Sequence, residues 1–375
     1  MTRVKVLLAT VLMLAVSASA KTVAPAAPVK KPVIQLAILL DTSNSMDGLI
    51  DQARTQLWRI VNEFGAAKKG GVTPDLYVAL YEYGNTRLSA QSGYIRRVLP
   101  LTTDLDRVSE ELFALKTSGG DEYCGQVIAE AVKGLEWDAS GEVLKVIFIA
   151  GNEPFTQGSV NFRTSCRKAL ARGISVNTIF CGAEGEGVET HWKDGAMLAE
   201  GRFMAIDQNA VVADITAPQD KQIAVLGEEL NKTYIAYGYA GNAGAERQKA
   251  QDANVASKSS ANVYRQLAKS KAVYANSSWD LVDARKNNAV DLGKIAVKDL
   301  PPVMQKMSAP ERKAYVDQNA KKRTEIQTKL EHLGNERAKY VAVERRKLPP
   351  AANTLDAAVI AIVRELGARK GFTFS

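Results

Sequence analysis

The residues best equipped for chemistry stand together in DTSNS, positions 41 to 45. Asp41, Ser43 and Ser45 alternate, and residues two apart in an extended turn point the same way. A carboxylate and two hydroxyls aimed at one point are hard oxygen donors, suited to Mg²⁺ or a similar divalent cation that keeps several of its waters. The competing reading is a helix cap, with Ser43 or Ser45 accepting from free N–H groups of a helix that begins near Met46.

The flanks decide what could hold these residues in place. Val33 to Leu40 reads VIQLAILL, a nearly unbroken apolar run of the kind found in strands covered on both faces. After the turn, Met46, Ile50, Ala53, Leu57, Ile60 and Phe64 form one apolar helical stripe that ends at KKGG. Further strands are expected at DLYVALYEY (75–83), YIRRVLPL (94–101, at an edge), VLKVIFIAG (143–151), SVNTIFCG (175–182) and RFMAID (202–207). Helices alternate with them, one over 104–115 with Thr103 placed to cap it. This alternation predicts a doubly wound, mostly parallel α/β sheet, with ligands beyond the carboxyl ends of its strands. Past the Gly-rich break YGYAGNAGAE the strand signals stop. Helices are expected near 245–275, 308–348 and 354–369, the long one packing back on the first domain.

Buried strand, DTSNS, amphipathic helix and the later strand-end loops TSGGDEYCG and IAGNEPF together resemble a von Willebrand factor type A domain over about residues 33 to 239. The resemblance implies that DTSNS is the first of three loops of a metal-ion-dependent adhesion site. The second loop, which in the family supplies a threonine or an aspartate, offers Asp121 and Glu122 here, with Thr117 placed less well because it precedes the glycines. The third usually supplies an aspartate at the end of the central strand. This chain has IAGNEP there, so Gly151 stands at that position, and Glu153 is the nearest acid able to compensate.

Composition bounds the rest. Nearly half of the 375 residues are hydrophobic and a quarter are charged, which suits a folded globular protein. The first 20 residues pair Arg3 and Lys5 with a short apolar stretch and Ala18-Ser19-Ala20, the pattern of a secretory signal, and a linker follows at 21–32. An exported protein, periplasmic or extracellular and not membrane-spanning, is therefore expected. From Ala240 onward 25 basic residues face 14 acidic ones, while Lys21 to Tyr239 holds 22 against 27. The basic part (240–375) suits solvated helix faces or contact with an anionic envelope component, and no aromatic-basic motif points to nucleic acid. Cys124, Cys166 and Cys181 are an odd count, read as one disulfide plus a free thiol, a bridge to another chain, or simply buried thiols.

Catalytic readings fail on inventory. Histidines occur only at 191 and 332, no nucleophile–base pair can be assembled, and no phosphate loop is present. Trp58, Trp137, Trp192 and Trp279 are scattered as packing residues. The expectation is a non-enzymatic binding protein that presents Asp41, Ser43, Ser45 and a carboxylate from 121/122, through a divalent ion, to an acidic group on a protein partner. The alternative is an envelope scaffold with a degenerate, metal-free site.

Overall fold

Only Gln35 interrupts the apolar run from Val33 to Leu40, and that run is the central strand, with both faces covered. The computed structural model describes residues 31–210, 214–348 and 353–374. The expected signal segment and nearly all of the linker after it lie outside the described residues. The strands are β1 (Val33–Asp41), β2 (Ala67–Lys69), β3 (Asp75–Tyr83), β4 (Ile95–Thr102), β5 (Leu144–Gly151), β6 (Ile174–Cys181), β7 (Phe203–Ile206) and β8 (Phe372–Phe374). Six of them form one sheet in the order β4-β3-β1-β5-β6-β7, parallel except for the edge strand β4. The winding reverses between β1 and β5, the crevice where such folds place a site.

The helices are α1 (Asp47–Ala66), α2 (Leu105–Ala114), α3 (Cys124–Gly134), α4 (Phe162–Ala171), α5 (Glu184–Glu189), α6 (Trp192–Met197) and α7 (Asp220–Asn231). Beyond them lie α8 (Gly241–Val255), α9 (Ser259–Lys269), α10 (Leu281–Lys286), α11 (Pro302–Gln305), α12 (Ala309–Arg345) and α13 (Leu355–Arg369). Alternation along β1 sorts its side chains. Ile34, Leu36 and Leu40 join a core with α1, α2 and α13, while Ala37 and Leu39 join one with α3, α4 and Trp192. All four tryptophans are buried.

Three local readings change. Asp104, not Thr103, caps α2, its Oδ1 accepting from the Arg107 N–H at 3.0 Å. The single helix expected over 245–275 is two, α8 and α9, broken at 256–258. Strands do not stop before residue 240, because β8 pairs antiparallel with β2. Three-residue strands carry too few residues to show a period.

The helical region is pinned by buried arginines. Arg265 donates to Asp106 on α2 at 2.7 Å and to Asp252 at 2.5 Å, and lies 4.4 Å from the Trp58 ring of α1. Arg323 of α12 donates to Asp280, Asp283 and both oxygens of Thr233. Ile326, Leu330 and Leu333 of α12 pack on α7 and α9. The final helix goes further. Leu355, Val359, Ile362 and Leu366 belong to the same core as β1 and α1, and the Leu355 N–H donates to Gln52 of α1 at 2.9 Å. Residues from the far end of the chain thus cover one face of the central sheet. Ile362, buried in that core, tests this: Ile362→Ala should lower the unfolding free energy by about 2–5 kcal/mol in a guanidinium titration. A change within about 0.5 kcal/mol would mean that α13 is only a surface appendage.

Candidate metal site at the strand ends

Strand parity sets the site. Asp41 has the parity of Ala37 and Leu39, so its side chain lies on the α3/α4 side of the sheet, paired across the ladder with Tyr83. It is fully buried. Its Oδ1 accepts from the Ser43 N–H at 2.7 Å, which closes the turn. Its Oδ2 is buried and has no hydrogen-bond partner among the described residues. A carboxylate oxygen left like that is costly and calls for a cation or a proton.

The first loop is not a cap. Ser43 precedes a short 3₁₀ turn and α1 begins at Asp47, and neither start carries a side-chain cap bond. The serine hydroxyls instead lie 3.3 Å from each other, and Ser45 Oγ donates to Asn152 of the third loop at 3.4 Å. From the second loop, Glu122 turns inward and is buried, while Asp121 points out to accept from the Tyr123 hydroxyl at 3.1 Å. Thr117 is engaged with Asp47. Glu122 and Asp41 meet over Gly84, where a Cβ would stand 2.8 Å from Glu122 Cγ and 2.9 Å from Asp41 Oδ1. Gly84 also has φ +78°, so both the space and the backbone exclude a side chain there. Glu153, half-buried, is close enough that its charge acts on both Asp41 and Glu122. Among the described residues no three His, Cys, Asp or Glu side chains gather as one metal cluster. The strand-end donors are therefore mainly Asp41, Glu122 and the two serines.

Sequence reading missed the residues that hold the loops together. Buried Asn85 donates to Thr42 O (3.4 Å) and Lys116 O (2.8 Å), tying the first loop to the second. Gln157 accepts from the Glu122 N–H at 2.6 Å, tying second to third. The only signal was an asparagine just after a strand end, which has many uses. Tyr83 is the other omission. Its hydroxyl donates to Ala150 O at 3.0 Å and occupies the space beside Gly151. A Cβ at Gly151 would stand 2.6 Å from that hydroxyl and 2.9 Å from Asp41 Oδ2. The Tyr83 hydroxyl fills the volume that a side chain at position 151 would need.

All three cysteines are free and buried, so no disulfide braces this edge. Burial pushes the Cys166 thiol up to about 12, and those of Cys124 and Cys181 upward as well. Such thiols are unreactive. His332 is exposed, and His191 pairs with Asp194 at 2.8 Å beside α6.

Electrostatically the site holds more negative charge than its surroundings balance. Burial pushes Asp41 up to about 7, against the Ser43 N–H and hydroxyl, which pull it down. Glu122 is pushed up to about 8 by burial and then by the charges of Asp41 and Glu153. Both folded values lie above the ordinary 3.8 and 4.5. The fold thus holds protons that the unfolded chain releases, and this stabilisation is complete below about pH 4 and lost as pH rises through 7 to 8. In chelator, the unfolding midpoint should fall between pH 5.5 and pH 8.5. Most of that slope should vanish in the Asp41→Asn/Glu122→Gln variant; an unchanged slope would place the titrating groups elsewhere. A second test addresses the volume at position 151. Gly151→Asp should destabilise by about 1–3 kcal/mol through overpacking, and Tyr83→Phe in the same chain should recover part of the loss in chemical denaturation.

Comparison with known proteins finds a family over part of the chain. Residues 35–194 match the family model of the von Willebrand factor type A domain. A search of curated proteins finds no match. Among solved structures, the chain is similar to BatB of Bacteroides thetaiotaomicron, a conserved hypothetical protein, at 16% identity over 46% of this chain and 90% of that one, TM-score 0.35. It is similar to the SpRpn10 VWA domain at 16% identity over 48% of this chain and all of that one, TM-score 0.35. It also resembles the pilus adhesin SpaC of Lactobacillus rhamnosus GG, at 14% identity over 48% of this chain and 29% of that one, TM-score 0.36. The family match falls on the segment that carries β1, the DTSNS turn and the two later strand-end loops. Residues 35–194 thus carry a von Willebrand factor type A domain.

Proposed function

We propose that the chain is an exported, non-enzymatic binding protein whose strand-end face holds a hard divalent cation, Mg²⁺ or Mn²⁺, and through it an acidic group of a protein partner. Domains of this family commonly mediate protein–protein interaction. The observation that carries the reading is the unpartnered, buried Oδ2 of Asp41, with Glu122 facing the same space and two serine hydroxyls at its rim. An ion there would satisfy the orphaned oxygen and offset the mutual repulsion of the two carboxylates. Asp41, Ser43, Ser45 and Glu122 would hold it, with Glu153 adding charge nearby. So few protein donors leave positions that water or a partner's carboxylate can take.

A second reading rests on Gly151 and Tyr83. With the family's third-loop aspartate replaced by a tyrosine hydroxyl, the face works without metal as part of an envelope scaffold, its carboxyls protonated. In favour of export stand the leader-like first 20 residues.

Calorimetric titration of Mg²⁺ and Mn²⁺ into the protein at pH 7.5 separates the readings. Saturable binding at millimolar ion or below, abolished by Asp41→Ala and weakened by Glu122→Gln, is expected. An intact protein that takes up no ion under those conditions leaves the scaffold reading. Binding that survives Asp41→Ala places the ion elsewhere.

A further inference from the structure

A second feature of the surface is lined by none of the strand-end donors. Helix α12 runs past α1, α9 and α13, and a cleft of about 410 Å³ opens between them. Four arginines, Arg59, Arg337, Arg345 and Arg364, line it together with Tyr264 and Leu267. No acid is among the described residues that line it. It continues into an outer cleft of about 620 Å³ that shares Arg59, Arg337 and Arg345 and adds Lys258 beside the start of α9. The acids in that outer part are Asp51 and Asp214. Asp51 faces Arg54 at 3.3 Å, and Asp214 accepts from Ser260.

Four cations around one small volume repel unless something offsets them. Three are anchored by carboxylates that do not line the cleft. Arg59 pairs with buried Asp356, Arg337 donates Nε to Asp220 at 2.6 Å, and Arg364 donates to Glu63 at 2.5 and 3.1 Å. Each anchor uses one or two of the five N–H donors of its guanidinium. Arg345 has no carboxylate partner among the described residues. The anchors fix the forks in place at little further entropy cost, and planar forks match the oxygens of a phosphoryl group better than point charges do. The apolar side of the cleft, Tyr264 and Leu267, lowers the local dielectric and strengthens those bonds.

We propose that this cleft binds a phosphoryl anion, free or displayed as the headgroup of an anionic lipid, with Arg345 supplying the uncompensated charge. The site shares no residue with the strand-end face and stands whether or not that face binds metal.

The probes are sodium tripolyphosphate, titrated calorimetrically into the intact protein at constant ionic strength, and sedimentation with phosphatidylglycerol vesicles diluted in phosphatidylcholine. Saturable tripolyphosphate binding is expected. Arg345→Gln should weaken it at least about tenfold with thermal midpoint unchanged, since that side chain anchors nothing. Arg364→Gln should weaken it less, and Asp41→Ala should leave it alone. Vesicle sedimentation that also depends on Arg345 identifies a headgroup as the ligand; tripolyphosphate binding without it identifies a soluble phosphate. The proposal is overturned if neither probe binds, if the Arg345→Gln/Arg364→Gln variant binds as the parent does, or if Asp41→Ala abolishes binding.

Discussion

A carboxylate sealed from water at the end of the central strand, one of its oxygens without a hydrogen-bond partner among the described residues, is the constraint around which the strand-end face is built. Asp41 cannot turn outward, because alternation along β1 fixes its side and its neighbours Ala37 and Leu39 are core residues. Everything near it answers to that position. Ser43 closes a turn to feed it one N–H, Gly84 gives up a side chain so that Glu122 can approach, and Gly151 gives up another to the Tyr83 hydroxyl. The result is a pair of facing carboxyls whose charge the protein alone does not balance. A proton balances it at low pH, and a divalent ion would balance it at neutral pH.

Such a site needs rigid support, and the support is larger than the segment that carries the family pattern. The face of the sheet shared by α1 and α2 is completed by α13, more than 300 residues along the chain from β1. The intervening helices are held by arginines buried with their acids. Breaking one of these pairs would leave a buried charge alone, a far larger loss than the pair itself contributes. Arg265 and Arg323 are best understood as fixing register and orientation: each makes several directional bonds that a slipped helix could not reproduce. The burial of Arg265 against the Trp58 ring joins this ionic pinning to the apolar core.

Much of the architecture was legible beforehand because it is periodic. Nearly continuous apolar runs announced the buried strands, the four-and-three spacing announced α1, and the alternation of the two implied a doubly wound sheet with DTSNS at its carboxyl edge. The long helix near 308–348 and the last one near 354–369 were also readable from composition. What escaped was short or aperiodic: β2 and β8, the cap on α2, and the loop ties through Asn85 and Gln157. A single asparagine or glutamine carries no period, and its partners lie in loops 31 to 43 positions away.

By itself the sequence determined the fold class, the place of DTSNS at the carboxyl edge of the sheet and the absence of an aspartate at position 151, since each is written in local pattern or residue type. Only the tertiary structure decided which acid of the second loop turns inward, Glu122 and not Asp121, because their order in the chain is the same in either case and neighbouring volumes choose. It alone explained Gly151, by placing the Tyr83 hydroxyl from another strand in the space a side chain would need. It alone gathered four arginines from α1, α12 and α13 around one cleft. Distances across a fold depend on how helices pack, and no spacing along the chain encodes them.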